Sequence, residues 1–402
     1  MSDETTEVND AMSSDQPQDA VPSPPVPVGA DLAALPLFDH HCHGVVTRDL
    51  DRQDFETLLT EGTSAGPRGG TLFDSAIGIE LRRHCAPVLG LDPFAEPDAY
   101  LERRAALGWS EVSRRFLSAS GLVGLHVDIG YTPEPLTSPE ELARLAVAPA
   151  QTVVRLESIA EDVVRRPGNA RDFLNRAAER IALVAPEAVA AKTVAAYRCG
   201  LALPAREVPG IVLTMAAREF MHRAGKSGAG KAVPRPRVIE PAVIRFLIAR
   251  AIEAGLPLQV HTGFGDADLD LHEADPLLLT PMLRELEPTG VPVLLLHTYP
   301  FQRHAGYLAQ VFDNVFCDVG LAIPHTGRRA HVVLAELLEL APFGKVLYSS
   351  DAFGLPELYY LGAVLFRRAL SRVLEEMALP SGEAERIAHL IARGNAERAY
   401  RR

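Results

Sequence analysis

Strand-like apolar runs recur along this chain at intervals that each leave room for a helix. No other feature limits the fold as strongly. The first run, Leu32 to Phe38, leads into Asp39-His40-His41-Cys42-His43-Gly44. Others lie at 121–128, 151–157, 188–194, 256–262, 291–297, 313–319 and 345–351. Helical patterns fall between them, at 97–119, 158–183, 240–254, 276–288, 302–311 and 328–340. Alternating strands and helices imply a parallel sheet buried on both faces. Eight such units predict a (β/α)8 TIM barrel. A doubly wound open sheet competes, but no Gly-x-Gly-x-x-Gly follows an early strand. Two insertions interrupt the rhythm. Residues 45–95 follow strand one and form a candidate lid. Residues 204–238 follow strand four and carry a helical pattern from Gly210 to Ala224. An amphipathic helix over 381–402 is expected to complete the outer ring of helices.

Residues 1–30 contain six acidic residues, no Lys or Arg and no aromatic residue. Such a segment cannot bury a core and is expected to be a disordered acidic, Pro-rich tail, leaving 31–402 as the barrel domain. It lacks the basic start and apolar centre of a secretion signal. The whole chain carries a formal net charge of −12, so nucleic acid is not the expected partner. No apolar run reaches the roughly 18 residues of a membrane span. Four scattered cysteines form no C-x-x-C pair, which fits a reducing cytoplasm. The expected partner is a small-molecule substrate, with a homo-oligomer left open.

Residues two apart on a strand share a side. His41 and His43 can therefore aim two imidazoles at one point, while His40 is expected to turn away. Lys192 lies in strand four, His261 ends strand five, His297 ends strand six and Asp351 ends strand eight. Active sites of (β/α)8 enzymes sit at the C-terminal strand ends, so these six residues should converge. Four histidines and an aspartate in one bowl point to a divalent metal.

The pattern Asp-x-His-x-His on strand one, His on strands five and six and Asp on strand eight resembles the amidohydrolase superfamily. The phrases around His261-Thr-Gly-Phe-Gly, His297-Thr-Tyr-Pro-Phe-Gln-Arg303, Ser349-Ser-Asp-Ala352, Lys192 to Leu201 and Gly394-Asn-Ala-Glu-Arg-Ala-Tyr400 are similar to the amidohydrolase half of FluG-type proteins. The resemblance implies that His41, His43 and Asp351 bind Zn2+, with His261 a further ligand and one position left for water. Asp351 would shuttle the proton. His297 would ligate a second metal or donate a hydrogen bond to the substrate carbonyl. Lys192 would bridge two metals if carboxylated; unmodified, it would anchor a substrate carboxylate or turn away, leaving a single metal.

Arg198 and Arg303 follow strands four and six. Each could clamp a substrate carboxylate or be an ordinary paired surface residue. Glu357 could hold a substrate ammonium or simply occupy a helix first turn. His325 is a candidate substrate contact. His40, His84, His126, His222, His272, His304, His331 and His389 are read as structural or surface residues. Gly225-Lys-Ser-Gly-Ala-Gly-Lys231 has phosphate-loop spacing, but Ala232 follows the lysine and a helix precedes it, so it is read as a flexible basic loop. The expected activity is metal-dependent hydrolysis of a C–N bond in a small carboxylate-bearing amide such as a γ-glutamyl amide. A metal-dependent decarboxylase of the same superfamily is the alternative, and a non-catalytic binding barrel a more distant one.

Overall fold

The computed structural model describes residues 31–62, 70–205, 208–226 and 236–401. The expected tail 1–30 and residues 227–231 of the glycine-rich loop lie outside the described residues. Seven strands form one sheet: β1 (Leu37–Cys42), β2 (Leu122–Asp128), β3 (Ala150–Arg155), β4 (Ala190–Thr193), β5 (Leu258–His261), β6 (Val293–Leu296) and β7 (Val315–Cys317). They are hydrogen-bonded in sequence order, and every pair is parallel. Helices connect them, as the alternating pattern predicts.

Two strand expectations are corrected. β1 begins at Leu37 rather than Leu32, because Asp31–Ala34 winds into a 3-10 turn and the Leu35 carbonyl is taken by Arg367 Nε at 2.8 Å. The segment expected as strand eight is not a strand. Val346 makes a single parallel bridge to Cys317, and the bonds that follow go to both ends of the sheet. Leu347 N–H donates to Cys317 O on β7. His40 N–H donates to Tyr348 O, and Asp351 N–H donates to His41 O. The sheet is thus curled, with residues 346–351 lying between its two outer strands.

Alternation along each strand sorts side chains to two sides. Val154, Ala191, Leu258, Val260, Val293 and Leu295 pack in the main core with the helices. Val153, Ala190, Leu294 and Phe316 form a smaller cluster with Ala396, Ala399 and Tyr400. Lys192 and His261 share alternation with Ala190 and Gln259, so they lie on the side of this smaller cluster, nearer the C-terminal strand ends.

Helix breaks follow local chemistry. The helix expected over 97–119 splits at Gly108, whose φ of 76° favours glycine, into Pro97–Leu107 and Trp109–Ala119. The helix expected over 158–183 splits into Leu156–Val163 and Ala170–Val184. Asn169 caps the second of these by accepting from Arg171 N–H and Asp172 N–H. The C-terminal helix is Ser381–His389, then a π turn Leu390–Gly394, then Asn395–Ala399. Asn395 Nδ2 donates to Phe343 O and Val346 O, each at 2.7 Å. That ties the last turn to the segment beside β7.

The residues between β1 and β2 carry the helices Arg52–Thr57 and Ala76–Val88. Buried Glu56 pins the first of these by accepting from Thr71 Oγ1 and Leu72 N–H. The helix Pro356–Glu376 closes this side, and its Glu357 meets Arg104 Nε at 2.8 Å and Tyr100 Oη at 3.2 Å. Glu357 is fully buried and Arg104 nearly so. Removing one member of such a pair strands the other charge in the core, typically at a cost of about 3–5 kcal/mol. E357A should therefore lower the denaturant midpoint with an unchanged slope. A loss under 1 kcal/mol would show that the pair does not hold this helix in place.

Candidate metal centre

The site forms where β1, β2, β4, β5, β6 and the 346–351 segment end. Asp351 is its centre. One carboxylate oxygen lies 3.1 Å from His41 Nε2 and 3.5 Å from His43 Nε2. The other lies 3.5 Å from His297 Nδ1. The ring of His261 is 4.6 Å from that of His297, centroid to centroid. Among the described residues, two sets of ligand atoms come within 4.8 Å of one another: His41, His43 and Asp128, and His41, His297 and Asp351. Of the six residues expected to converge, the structure brings together all six, since Lys192 Nζ lies 2.7 Å from His41 Nε2.

The protonation states suit a cation. Burial lowers the pKa of His41, His261 and His297, so their rings stay neutral. Burial would raise the pKa of Asp351, but His297, His41 and His43 hold it well below the usual range. The Nδ1 of His43 lies 3.2 Å from the carbonyl of Asp128. A carbonyl only accepts, so Nδ1 carries a hydrogen, and Nε2 is the nitrogen that faces Asp351. Among the described residues, both ring nitrogens of His297, Nε2 of His261 and one oxygen of Asp351 are buried without a hydrogen-bond partner. Each such atom costs about 1–3 kcal/mol when left unmet. His297 can give one of its two nitrogens to an ion, and with His261 Nε2 and the Asp351 oxygen these three groups on different elements fit a divalent metal as the missing partner.

The backbone here is held in unusual conformations. His297, Thr298 and Asp351 have φ of 70°, 49° and 49°, each costing on the order of 1–3 kcal/mol for a non-glycine residue. Asp318, immediately after β7, holds the first two. Its Oδ1 accepts His297 N–H at 3.0 Å, and its backbone carbonyl accepts Thr298 Oγ1 at 2.8 Å. Asp39 holds the third. It accepts Ser350 N–H at 2.9 Å and Ser350 Oγ at 2.5 Å. Burial raises the Asp39 pKa to about 7.

His40 does not turn away from this interior. The β1–β2 register shifts between Asp39 and Cys42, so simple alternation fails there. His41 reaches Lys192, while His40 Nε2 meets Asp318 at 2.9 Å. Three further residues escaped the sequence reading. Asp128 ends β2 and accepts Arg155 Nη2 at 2.5 Å, with Lys192 Nζ at 3.4 Å. Arg155 ends β3. Tyr197 packs on His261 at 4.6 Å, and a Cβ at Gly265 would come within 1.9 Å of its hydroxyl. The signal for Asp128 and Arg155 was present, because each is a charged residue closing an apolar run, as Lys192 nearly is.

A cavity of about 650 Å³ opens over the centre. His43, Lys192, His261 and Asp351 reach it from the strand ends, and His325, Arg198, Arg155, Arg237 and Glu61 line its wall. Burial lowers the pKa of His325 to about 4, and its ring meets Phe264 at 5.3 Å. Arg198 is paired with Glu161 at 3.0 Å, although its Nε is buried without a partner. Two expected substrate residues lie elsewhere. Arg303 faces outward, its side chain 56% exposed and paired with Glu336 and Glu339, because the helix Gln302–Val311 turns that position to the surface. Glu357 is consumed by Arg104 in the core and does not line the cavity.

Residues 159–402 match the family model described as Amidohydrolase. Protein fluG of Emericella nidulans is 32% identical over an alignment of 379 positions that covers 84% of this chain. The chain spans only 42% of that relative's length. A solved structure from Lactobacillus casei ATCC 334, assigned as a metal-dependent hydrolase, superposes with a TM-score of 0.82 at 27% identity, covering 94% of this chain and 98% of that one. Uronate isomerase of Thermotoga maritima superposes at 0.61 with 14% identity, covering 92% and 96%, and shares the fold. With the histidine and aspartate centre described above, these matches establish that the chain belongs to the amidohydrolase family.

Proposed function

We propose that this chain is a metal-dependent hydrolase of a C–N bond in a small, carboxylate-bearing amide such as a γ-glutamyl amide. The observation that carries this reading is the set of neutral imidazoles and unmet buried atoms around Asp351, beneath a cavity that fits a small molecule. The same reading has residues 346–351, which form no ladder, close the ring at the eighth position of a (β/α)8 barrel, with residues 45–95 as an insertion over the cavity. His41, His43, His261 and Asp351 would hold the metal, with Zn2+ suited to this nitrogen and oxygen set. Bound there, it supplies Lewis acidity for the carbonyl and lowers the pKa of water. The remaining work falls to the chain. Asp351 accepts a proton at its carboxylate and returns it to the leaving nitrogen. His297 orients the carbonyl through a ring nitrogen or acts as a ligand in a second-metal site. Arg198, whose Nε lacks a partner, is placed to take the substrate carboxylate, and His325 borders the same space. The match to fluG supports the amide reading.

Lys192 decides the number of metals. Burial lowers its pKa, with Asp128 opposing, and this raises the share of neutral amine that can add CO2. A carbamate there would bridge two ions. A protonated Lys192 donating to His41 Nε2 occupies the lone pair a metal needs, and must move aside for a single-metal site. The decarboxylase reading is favoured by that second state, since such chemistry needs the His and Asp set without a bridging carbamate.

Three outcomes test this. The chelated protein should lose hydrolysis of γ-glutamyl amides, measured as amine release, and regain it with Zn2+. Release of CO2 from a carboxylated substrate, with no amine from any amide, would overturn the C–N reading. D351N should cut kcat by on the order of 10²–10⁴-fold with a small change in KM, and wild-type turnover in this variant would remove Asp351 from the mechanism. Native mass spectrometry with metal analysis should find one CO2 per chain together with two metals. One metal and no CO2 would establish the single-metal site.

A further inference from the structure

Two features of the chain have no part in the chemistry so far: His40, and the terminal Gly394–Tyr400 segment. The structure joins them. Tyr400 follows the helix Asn395–Ala399 and is buried. Its hydroxyl meets His40 Nδ1 at 2.9 Å and accepts from Gln259 Nε2 at 2.7 Å. Its ring stands edge-on to His126 at 4.3 Å.

The directions of these bonds can be settled by elimination. Asp318 Oδ1 accepts His297 N–H and Gly320 N–H, and Oδ2 faces His40 Nε2 at 2.9 Å. An ionised carboxylate only accepts. Two backbone N–H groups on Oδ1, at 3.0 and 2.7 Å, favour the ionised form of this carboxylate. His40 Nε2 must then carry a hydrogen. Gln259 spends one amide hydrogen on the His40 carbonyl at 2.8 Å and the other on Tyr400 Oη. Tyr400 has one hydrogen left. Its alternative acceptor, the His40 carbonyl, is 3.5 Å away and already takes Gln259. With a neutral His40 ring, the hydroxyl therefore donates to Nδ1. The result is one directed chain: Gln259 to Tyr400, Tyr400 to His40, His40 to Asp318, with Asp318 holding the turn at His297.

We propose that Tyr400 is a positioning residue for the candidate metal centre, fixing the Nε2–H form of His40 so that Asp318 can hold His297 and Thr298 in their left-handed turn. This rests on the reading of His297 as a residue of that centre. Tyr400 touches no reacting atom. Its effect reaches the site through His40 and Asp318, which lie on β1 and directly after β7, so it couples the chain's last turn to the two outer strands of the sheet. Hydrogen-bond partners one step behind a metal ligand typically change affinity or activity by 10–100-fold when lost.

The test uses the full-length chain with Y400F, which keeps the ring against His126 and removes only the hydroxyl. Y348F is the control, because Tyr348 is also buried and its hydroxyl has no hydrogen-bond partner among the described residues. Y400F should lower kcat on the order of 10-fold with KM within roughly twofold, and should shift the visible absorption of the Co2+-substituted protein. Y348F should change neither. Independently, nitrogen-15 spectra of wild-type protein labelled at histidine should show His40 in the Nε2–H form. A wild-type Co2+ spectrum and kcat in Y400F, an equal loss in Y348F, or an Nδ1–H form of His40 would each overturn the proposal. The spectrum and the tautomer are read without substrate, so they decide the matter even if no amide is turned over. If Y400F does not fold, the wild-type tautomer still decides it.

Discussion

The site depends on one set of hydrogen bonds between the first strand and a segment more than three hundred residues later. Asp39 accepts both hydrogens of Ser350, His40 N–H donates to Tyr348 O, and Asp351 N–H donates to His41 O. Without these bonds the carboxylate of Asp351 has no reason to lie beside His41 and His43. The arrangement is costly. A carboxyl group with no exposure is raised to about 7, which shows how strongly burial opposes its ionisation. Two short bonds from Ser350 offset that penalty and turn it into geometry, because they can be made only when the two segments lie side by side.

The chemistry of the strand ends was legible because burial on both faces makes a strand apolar. A His, Lys or Asp that closes such a run is conspicuous, and Lys192, His261, His297 and Asp351 were found by that contrast. The positions of the strands were less legible. β1 starts five residues late because Arg367, from a distant helix, takes the carbonyl of Leu35. The eighth run is extended but bonded to the sheet only at scattered points, and hydropathy does not distinguish that from a ladder. The failure at His40 has a local cause. Period-two reasoning assumes a regular strand, and β1 shifts register between Asp39 and Cys42.

The substrate-contact residues were legible only in part, for a different reason. Arg198, Arg303 and Glu357 all follow strand ends in sequence, so position in the chain did not separate them. What separates them is the partner each meets. Glu339 and Glu336 draw Arg303 to the surface, Arg104 holds Glu357 in the core, and Glu161 leaves Arg198 at the cavity wall with one nitrogen unmet. Those partners come from elements far apart in the chain, and a single sequence carries no record of the pairing.

The charge around Lys192 links metal number to chemistry. Asp351 and Asp128 each bring one negative charge, and Arg155 and a protonated Lys192 each bring one positive charge. These four cancel, so a divalent ion entering beside them would leave a net positive charge in a buried place, which is costly. A carbamate on Lys192 replaces a positive charge by a negative one. The same residues then carry two net negative charges, which match one divalent ion and reduce the repulsion felt by a second. A Lys192 that swings away from His41 gives a weaker version of the same relief, enough for one ion. The carbamate proposed for Lys192 would therefore change how much positive charge can sit beside Asp351 and Asp128.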